Sequence, residues 1–167
     1  MGTFLSATYN QQMNDDVTNM LKNQSIQFLN LIELRQAIEG DIAYYAAKRI
    51  TITQRETLIS AYQKLADAEK AGEQAINEDL EFHMAISEAS NNDLLIEMMN
   101  LISERTRIFL IQNRPDTLED SAQIKTVMEE HHQIYEAILC GDAEKAKQSM
   151  WSHLDSIKIR HHYDRRD

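Results

Sequence analysis

An aspartate and a histidine one helical turn apart form the first pair of side chains in this sequence that could do chemistry. Asp79 and His83 are four residues apart, and residues at that spacing project from one face of a helix at adjacent turns. The same face carries Ile76, Leu80 and Ile86, so it is predicted to point into the protein. A carboxylate and an imidazole on a buried face can ligate one divalent metal ion.

Two further histidines are predicted to face the core. His131 has apolar or aromatic residues at the positions three and four away, whereas its neighbour His132 has glutamates among them, so His131 is the inward one. His153 also shares its helix face with apolar residues. The apolar neighbours are Val127, Met128, Ile134 and Tyr135 for His131, and Ala146, Met150 and Ile157 for His153. We predict that His132, His161 and His162 lie at the surface.

Helix geometry places the inward histidines at a similar height in the fold. His131 precedes Gly141 by ten residues and His153 follows it by twelve, so both lie roughly 15 to 18 Å from the turn on adjacent helices. The candidate metal site, held by three helices, therefore consists of Asp79, His83, His131 and His153. Each histidine alone could instead be a core imidazole bonded to a polar neighbour. Three of them beside an i, i+4 carboxylate favour a shared ion.

Arg35 is a second side chain whose predicted position is unusual for its chemistry. It lies on an apolar face with Ile38 and Ile42, and a buried guanidinium without an anion is costly. One interpretation pairs it with Glu39, four residues on. The other interpretation has its planar fork hold the carboxylate of a small ligand. Helical phase alone favours the pair and leaves the ligand as the alternative.

Helices must position these residues, and the composition is that of a helical protein. Only four glycines and one proline occur in 167 residues, alongside many strong helix formers. Apolar residues recur at three- and four-residue spacing, which predicts an all-α fold, an antiparallel bundle of six or seven helices. The helices are predicted at about residues 29–49, 53–71, 74–89, 94–112, 119–139 and 143–163, with a weaker one at 17–28.

Turn and capping signals mark the ends of these helices. We predict that Thr53 is an N-cap and that Glu56 completes its capping box. Gly141 and Asp142 suit the end of one helix and the start of the next, which predicts a helical hairpin. The polar run from Lys64 to Glu73 is interpreted as a solvated face.

The charge balance restricts the class of partner. A formal net charge of -10 argues against nucleic-acid binding by this chain alone, because phosphate binding depends on clustered Lys and Arg. The basic run from Arg160 to Arg166 lies at the terminus, contains Asp164 and is interpreted as a solvated end. A single Cys140 suits a reducing compartment. With no apolar run of membrane-spanning length in the sequence, we expect a soluble, cytoplasmic protein without a membrane partner.

Four short sequence segments, each degenerate alone, form a more specific motif pattern when their order and spacing are considered together. They are Leu34-Arg35-Gln36-Ala37-Ile38-Glu39, then Asp79-Leu80-Glu81-Phe82-His83, then Ala89-Ser90-Asn91-Asn92-Asp93-Leu94-Leu95, and finally Glu130-His131-His132-Gln133-Ile134-Tyr135-Glu136-Ala137-Ile138 continued by Gly141-Asp142, Ala146, Met150 and His153-Leu154. Together they resemble the C-terminal ligand-binding domain, abbreviated FCD, of GntR-family transcription regulators of the FadR subfamily. Asn91 and Asp93 stand where that family often has Gly and Pro around Asn92.

The resemblance implies an FCD-like helical fold with a metal site and an effector. The implied metal ligands are Asp79, His83, His131 and His153, the residues that helical phase also selects. The ion would be Zn²⁺, with Ni²⁺ or Mn²⁺ as alternatives, because mixed imidazole and carboxylate sites discriminate weakly. The effector would be a small organic acid, with Arg35 and Asn92 as ligand-binding residues.

The resemblance also implies a domain organisation and partners. Gly2-Thr3-Phe4 resembles the end of the wing of a winged-helix domain, so residues 1–18 are interpreted as a linker remnant after a missing DNA-binding domain. Residues 19–163 are then the effector-binding and dimerisation domain, and residues 164–167 are a tail. The implied protein is a homodimer that binds DNA only through the missing N-terminal domain.

Three functions remain as hypotheses at this point. The leading one is a sensor in which the ion and Arg35 hold a carboxylate effector and bias the dimer between two arrangements. The second is a small metal-dependent hydrolase with Glu39 or Glu97 as general base, although no residue is assigned a catalytic role. The third is a purely structural metal site. A carboxylate completing the metal shell would distinguish the sensor from the structural site.

Overall fold

The computed structural model of the chain describes residues 28–72, 75–112 and 121–163, and these form six α-helices and no strand. The helices are α1 (Phe28–Arg49), α2 (Ile52–Lys70), α3 (Ile76–Ala89), α4 (Asp93–Gln112), α5 (Ser121–Cys140) and α6 (Ala143–Tyr163). The predicted all-α bundle is therefore confirmed. The segments 1–18, 113–118 and 164–167 lie outside the described residues, as does all but the last residue of the predicted helix at 17–28.

Helix α1 occupies the centre of the fold. It packs most extensively against α6 and also against α3, α4 and α5. Its buried residues recur at spacings of three and four along the helix, which gives it a wide inward face. They are Phe28, Leu31, Ile32, Arg35, Gln36, Glu39, Gly40, Ile42, Ala43, Ala46 and Ala47. Most of this inward face is apolar, so the buried charges of Arg35 and Glu39 need partners. In the described part of the chain, no helix is both long enough and apolar enough to cross a membrane.

The start of α2 differs from the prediction. Thr51 is the N-cap, with extended backbone at φ -83° and ψ 168°. Its hydroxyl accepts a hydrogen bond from the Gln54 N–H at 3.3 Å, and the Gln54 amide oxygen accepts one from the Thr51 N–H at 3.0 Å. The predicted cap at Thr53 was wrong, because the Thr-x-x-Gln pattern at 51–54 supplies an equivalent capping box two residues earlier.

The α5–α6 connection follows the prediction. Gly141 has a φ of 75°, a left-handed conformation that glycine adopts without a steric penalty. Its N–H donates to the Ile138 carbonyl at 3.1 Å, and the Asp142 side chain accepts from the Lys145 N–H at 3.1 Å. This tight hairpin sets α5 and α6 side by side, and the rings of His131 and His153 lie 4.6 Å apart between their centroids.

Candidate metal centre

Three helices bring one carboxylate and three imidazoles to a single point in the interior. One ligand atom from each of the four side chains lies within 4.8 Å of all the others. The four residues are Asp79 and His83 on α3, His131 on α5 and His153 on α6. The structure therefore brings together the whole set that helical phase selected.

The imidazoles are deeply buried and face inward. The side chains of His83, His131 and His153 are each 1% exposed, whereas that of Asp79 is 24% exposed. The Nε2 atom of each histidine is buried and has no hydrogen-bond partner. His131 Nε2 lies 3.1 Å from Asp79 Oδ1, and His83 Nε2 lies 3.9 Å from the same oxygen. Three buried ring nitrogens without a hydrogen-bond partner are costly unless a common ligand, such as a metal ion, satisfies them.

The opposite nitrogen of each ring contacts a glutamate. His83 Nδ1 lies 2.5 Å from Glu39 Oε2. His131 Nδ1 lies 3.1 Å from Glu69 Oε1, and His153 Nδ1 lies 2.9 Å from Glu130 Oε2. These partners are on α1, α2 and α5, respectively. The centre is therefore surrounded by a second layer of carboxylates.

The prediction missed two of these glutamates. Glu69 belongs to the run interpreted as a solvated face, but its side chain is only 10% exposed. It follows the buried Leu65 by four residues, so helical phase could have placed it inward. Glu130 precedes the buried Ile134 by four residues, so helical phase could have placed it inward as well, although its contact with His153 depends on the neighbouring helix.

The charges around the cluster reinforce one another. Burial alone would raise the pKa of Asp79, but the charges of His83, His131 and Arg35 hold it well below its usual range. Burial would lower the pKa of His131, yet the nearby carboxylates of Asp79 and Glu69 raise it to about 9. Burial and the positive charge of His131 lower the pKa of His153 to about 4. The cluster therefore favours one positive charge beside Asp79.

Arg35 lies next to this centre and pairs with Glu39. The Arg35 Nε lies 2.5 Å from Glu39 Oε1, and its Nη2 lies 3.4 Å from Glu39 Oε2. Arg35 is 3% exposed and Glu39 is 1% exposed. Burial would raise the pKa of Glu39, but Arg35 and His83 together lower it to about 2. The intrahelical pair is thus present, and Glu39 connects Arg35 to His83.

Other side chains singled out from the sequence lie elsewhere or have other partners. The Asn92 side-chain oxygen accepts the Leu95 N–H at 3.3 Å and so caps the start of α4. His132 is exposed, as predicted, and its Nδ1 lies 3.0 Å from the Tyr62 hydroxyl. Glu97 is exposed on α4. The side chains of His161 and His162 fall outside the described residues.

The donor set fits a divalent transition-metal ion. Neutral imidazole nitrogens and one carboxylate suit Zn²⁺, and they also suit Ni²⁺ or Mn²⁺. Among the described residues, the carboxylates of Asp79, Glu39, Glu69 and Glu130 lie around the point of convergence, and the guanidinium of Arg35 lies beside Glu39. This excess of negative charge favours a bound cation.

Comparison with known proteins identifies the family. A model of the FCD domain matches residues 30–156. The HTH-type transcriptional regulator LutR of Bacillus subtilis is 27% identical over 158 residues, which cover 94% of this chain and 72% of that protein. The Uxu operon transcriptional regulator of Escherichia coli is 32% identical over 140 residues, covering 78% of this chain and 52% of that protein. A putative L-lactate dehydrogenase operon regulatory protein of Escherichia coli is 26% identical over 160 residues, which cover 93% of this chain and 61% of that protein. The chain thus spans between about half and three quarters of these relatives.

Solved structures agree with this assignment. Streptococcus agalactiae GntR superimposes with a TM-score of 0.67 and 25% identity, covering 78% of this chain and 57% of that chain. Escherichia coli McbR/YncC gives a TM-score of 0.68 at 22% identity, covering 84% and 66%, and supports the fold alone. Because the family model covers most of the chain and the fold agrees, the chain belongs to the FCD domain family, the effector-binding domains of GntR-family transcription regulators.

Proposed function

We propose that this domain is a metal-dependent sensor of a small organic acid. Asp79, His83, His131 and His153 bind one divalent ion, with Zn²⁺ as the first choice and Ni²⁺ or Mn²⁺ as alternatives. A carboxylate effector contacts the ion and the Arg35 guanidinium. Its binding then controls DNA binding by a DNA-binding domain that precedes this one in the full-length protein.

One observation carries the metal part of the proposal. The Nε2 atoms of three buried histidines have no hydrogen-bond partner and converge with a carboxylate oxygen. A core histidine kept for packing normally satisfies its buried ring nitrogens, and three exceptions at one point require a common explanation. When bound, the ion supplies a positive centre to which an anion can coordinate.

The acid part of the proposal depends on Arg35. The Arg35 guanidinium is joined to the ligand set through Glu39, which contacts both Arg35 and His83. Its two contacts with Glu39 use two of the five N–H donors of a guanidinium. An acid between the ion and Arg35 would be held by charge-assisted contacts at both ends. The name of one relative refers to an L-lactate dehydrogenase operon, and lactate is a small hydroxy acid of this kind. Asn92 is not needed for this arrangement, since it caps α4.

The partners follow from the family. We propose that the protein acts in the cytoplasm as a homodimer, because a two-fold regulator matches paired half-sites on DNA. A net charge of -10 disfavours direct contact between this chain and phosphates. Contact with DNA would therefore be made by the other domain.

The alternative of a metal-dependent hydrolase is not favoured. It requires a general base within reach of a metal-bound water. Glu39 is engaged with Arg35 and His83, and Glu97 is exposed on α4. The relatives are named as regulators, which also favours a sensor.

Elemental analysis combined with calorimetry tests the proposal. The purified domain is expected to contain a divalent metal, and titration with L-lactate or related hydroxy acids should release heat only while the metal is present. Removal of the metal by a chelator should abolish acid binding, and metal restoration should recover it. Acid binding that persists unchanged after complete metal removal would contradict the proposed role of the ion.

A further inference from the structure

We infer that Glu39, Glu69 and Glu130, which lie outside the proposed ligand set, are positioning residues that fix the metal-binding nitrogen of each histidine. The inference rests on the proposed metal centre. Each glutamate contacts a different imidazole, always at Nδ1. The same glutamate–imidazole contact is therefore repeated at all three histidine ligands.

The chemistry of each pair determines the tautomer of the ring. An ionised carboxylate can only accept hydrogen bonds, so the facing Nδ1 must carry a hydrogen and donate it. In a neutral imidazole the other nitrogen, Nε2, then carries a lone pair. That lone pair faces the point where the three rings and Asp79 meet. His131 differs in that its Nε2 also lies 3.1 Å from Asp79 Oδ1, so its lone pair would become available when Asp79 ligates the ion. Without the glutamates, each ring could adopt the other tautomer or rotate away.

The glutamates also bring additional helices to the centre. The ligands lie on α3, α5 and α6, whereas Glu39 lies on α1 and Glu69 on α2. Helices α1 and α2 carry no metal-ligating residue, but hydrogen bonds accepted by Glu39 and Glu69 connect them to the metal-ligating histidines. Partner groups of this kind raise the basicity of a ligand and hold its orientation.

The three glutamates are not equivalent. The Glu39 side chain is 1% exposed, whereas those of Glu69 and Glu130 are 10% and 16% exposed. Water can partly replace an accessible acceptor, but it cannot reach the position of Glu39. Glu39 is also held in place by Arg35. Loss of Glu39 should therefore weaken metal binding most.

Zinc affinity of single variants, measured by competition with a chromophoric chelator, tests this inference. Glu39→Gln has one acceptor oxygen where Arg35 and His83 need two, and we expect its zinc affinity to fall by about 10- to 100-fold. Glu69→Gln and Glu130→Gln should show smaller losses in the same direction. Glu33→Gln and Glu136→Gln replace exposed glutamates on α1 and α5 and serve as matched controls that should bind like the wild type.

A spectroscopic measurement separates positioning from a general loss of stability. The visible absorption of bound Co²⁺ reports ligand geometry, so it should change in Glu39→Gln and Glu130→Gln and stay unchanged in the controls. Glu130→Gln keeps the test available if Glu39→Gln does not fold, because Glu130 is the most accessible of the three. If the wild type binds zinc and these variants bind it equally well, or with an unaltered Co²⁺ spectrum, the inference is overturned. If the wild type binds no metal, the proposed function itself fails.

Discussion

Asp79 and His131 meet between two helices whose backbones lie well apart. Among the described residues, the backbones of α3 and α5 make no close approach, yet Asp79 Oδ1 and His131 Nε2 lie 3.1 Å apart. The same holds for α3 and α6, which carry His83 and His153. The polar cluster therefore fills a space that apolar packing fills elsewhere. Whatever neutralises the cluster also joins α3 to the α5–α6 hairpin.

Metal content should depend on the inward histidines and not on their neighbour. We expect the His131→Ala, His153→Ala double variant to lose the ion, because two of four ligands are removed. His132→Ala should retain it, since that side chain is exposed and bonded to Tyr62. Elemental analysis of purified protein measures the outcome, and metal surviving in the double variant would count against the site.

Metal binding should stabilise the fold, because the ion would link helix α3 to helices α5 and α6, whose backbones make no close approach to it in the described part of the chain. At a free metal concentration about 100 times the dissociation constant, binding contributes about 2.7 kcal/mol. For a chain of this size the melting temperature should then rise by about 5 to 10 °C. Scanning calorimetry with zinc and with a chelator measures the shift. The His131→Ala, His153→Ala variant is the control, and an equal rise there would mean that the metal binds elsewhere.

The capping box of α2 allows a test with two threonines two residues apart. Thr51→Ala removes the hydroxyl that accepts the Gln54 N–H and should lower the free energy of unfolding by about 1 kcal/mol. Thr53→Ala lies in the first turn of the helix and is exposed, so it should be neutral or slightly stabilising. Urea denaturation distinguishes them, and a larger loss at Thr53 would reverse the assignment of the cap.

Two glycines should respond to alanine with opposite signs. Gly141 has a φ of 75°, and a Cβ in that conformation costs about 1 kcal/mol or more. Gly40 lies within α1, where an added Cβ would meet Lys147 Cγ at an ordinary contact distance of 3.6 Å. Gly40→Ala should therefore stabilise the protein by about 0.5 to 1 kcal/mol through helix propensity. If urea unfolding shows Gly40→Ala to be as destabilised as Gly141→Ala, the space between α1 and α6 at Gly40 is too small for a Cβ.

Residues that face inward on one helix, and pairs that are local in sequence, could be predicted, whereas the glutamates that contact the histidines from neighbouring positions could not. The inward phase of His83 and His131 and the Arg35–Glu39 pair follow from spacing along one helix. The contacts of Glu69 and Glu130 with histidines depend on how helices α2, α5 and α6 are placed, which periodicity does not determine. The cap at Thr51 was missed for a different reason, because two threonines near one helix start both satisfy a degenerate pattern.

Effector binding should depend on the shape of the Arg35 side chain as well as on its charge. Arg35→Lys keeps a positive charge beside Glu39 but replaces the planar fork with a point charge that cannot hold two acceptors in the same way. If an acid bridges the ion and Arg35, the variant should bind it about 2 kcal/mol more weakly, roughly a thirtyfold loss. Because Glu39 keeps a cationic partner, the metal content should stay at the wild-type level.

Calorimetry with L-lactate and related hydroxy acids on the metal-loaded proteins measures this difference. Lys48→Arg supplies a matched control, since Lys48 is exposed at the end of α1 and bonds to Tyr44, so acid affinity there should equal that of the wild type. Elemental analysis of each sample excludes metal loss as the cause of weaker binding. Unchanged acid affinity in Arg35→Lys, with the metal retained, would assign Arg35 to the single role of holding Glu39 against His83.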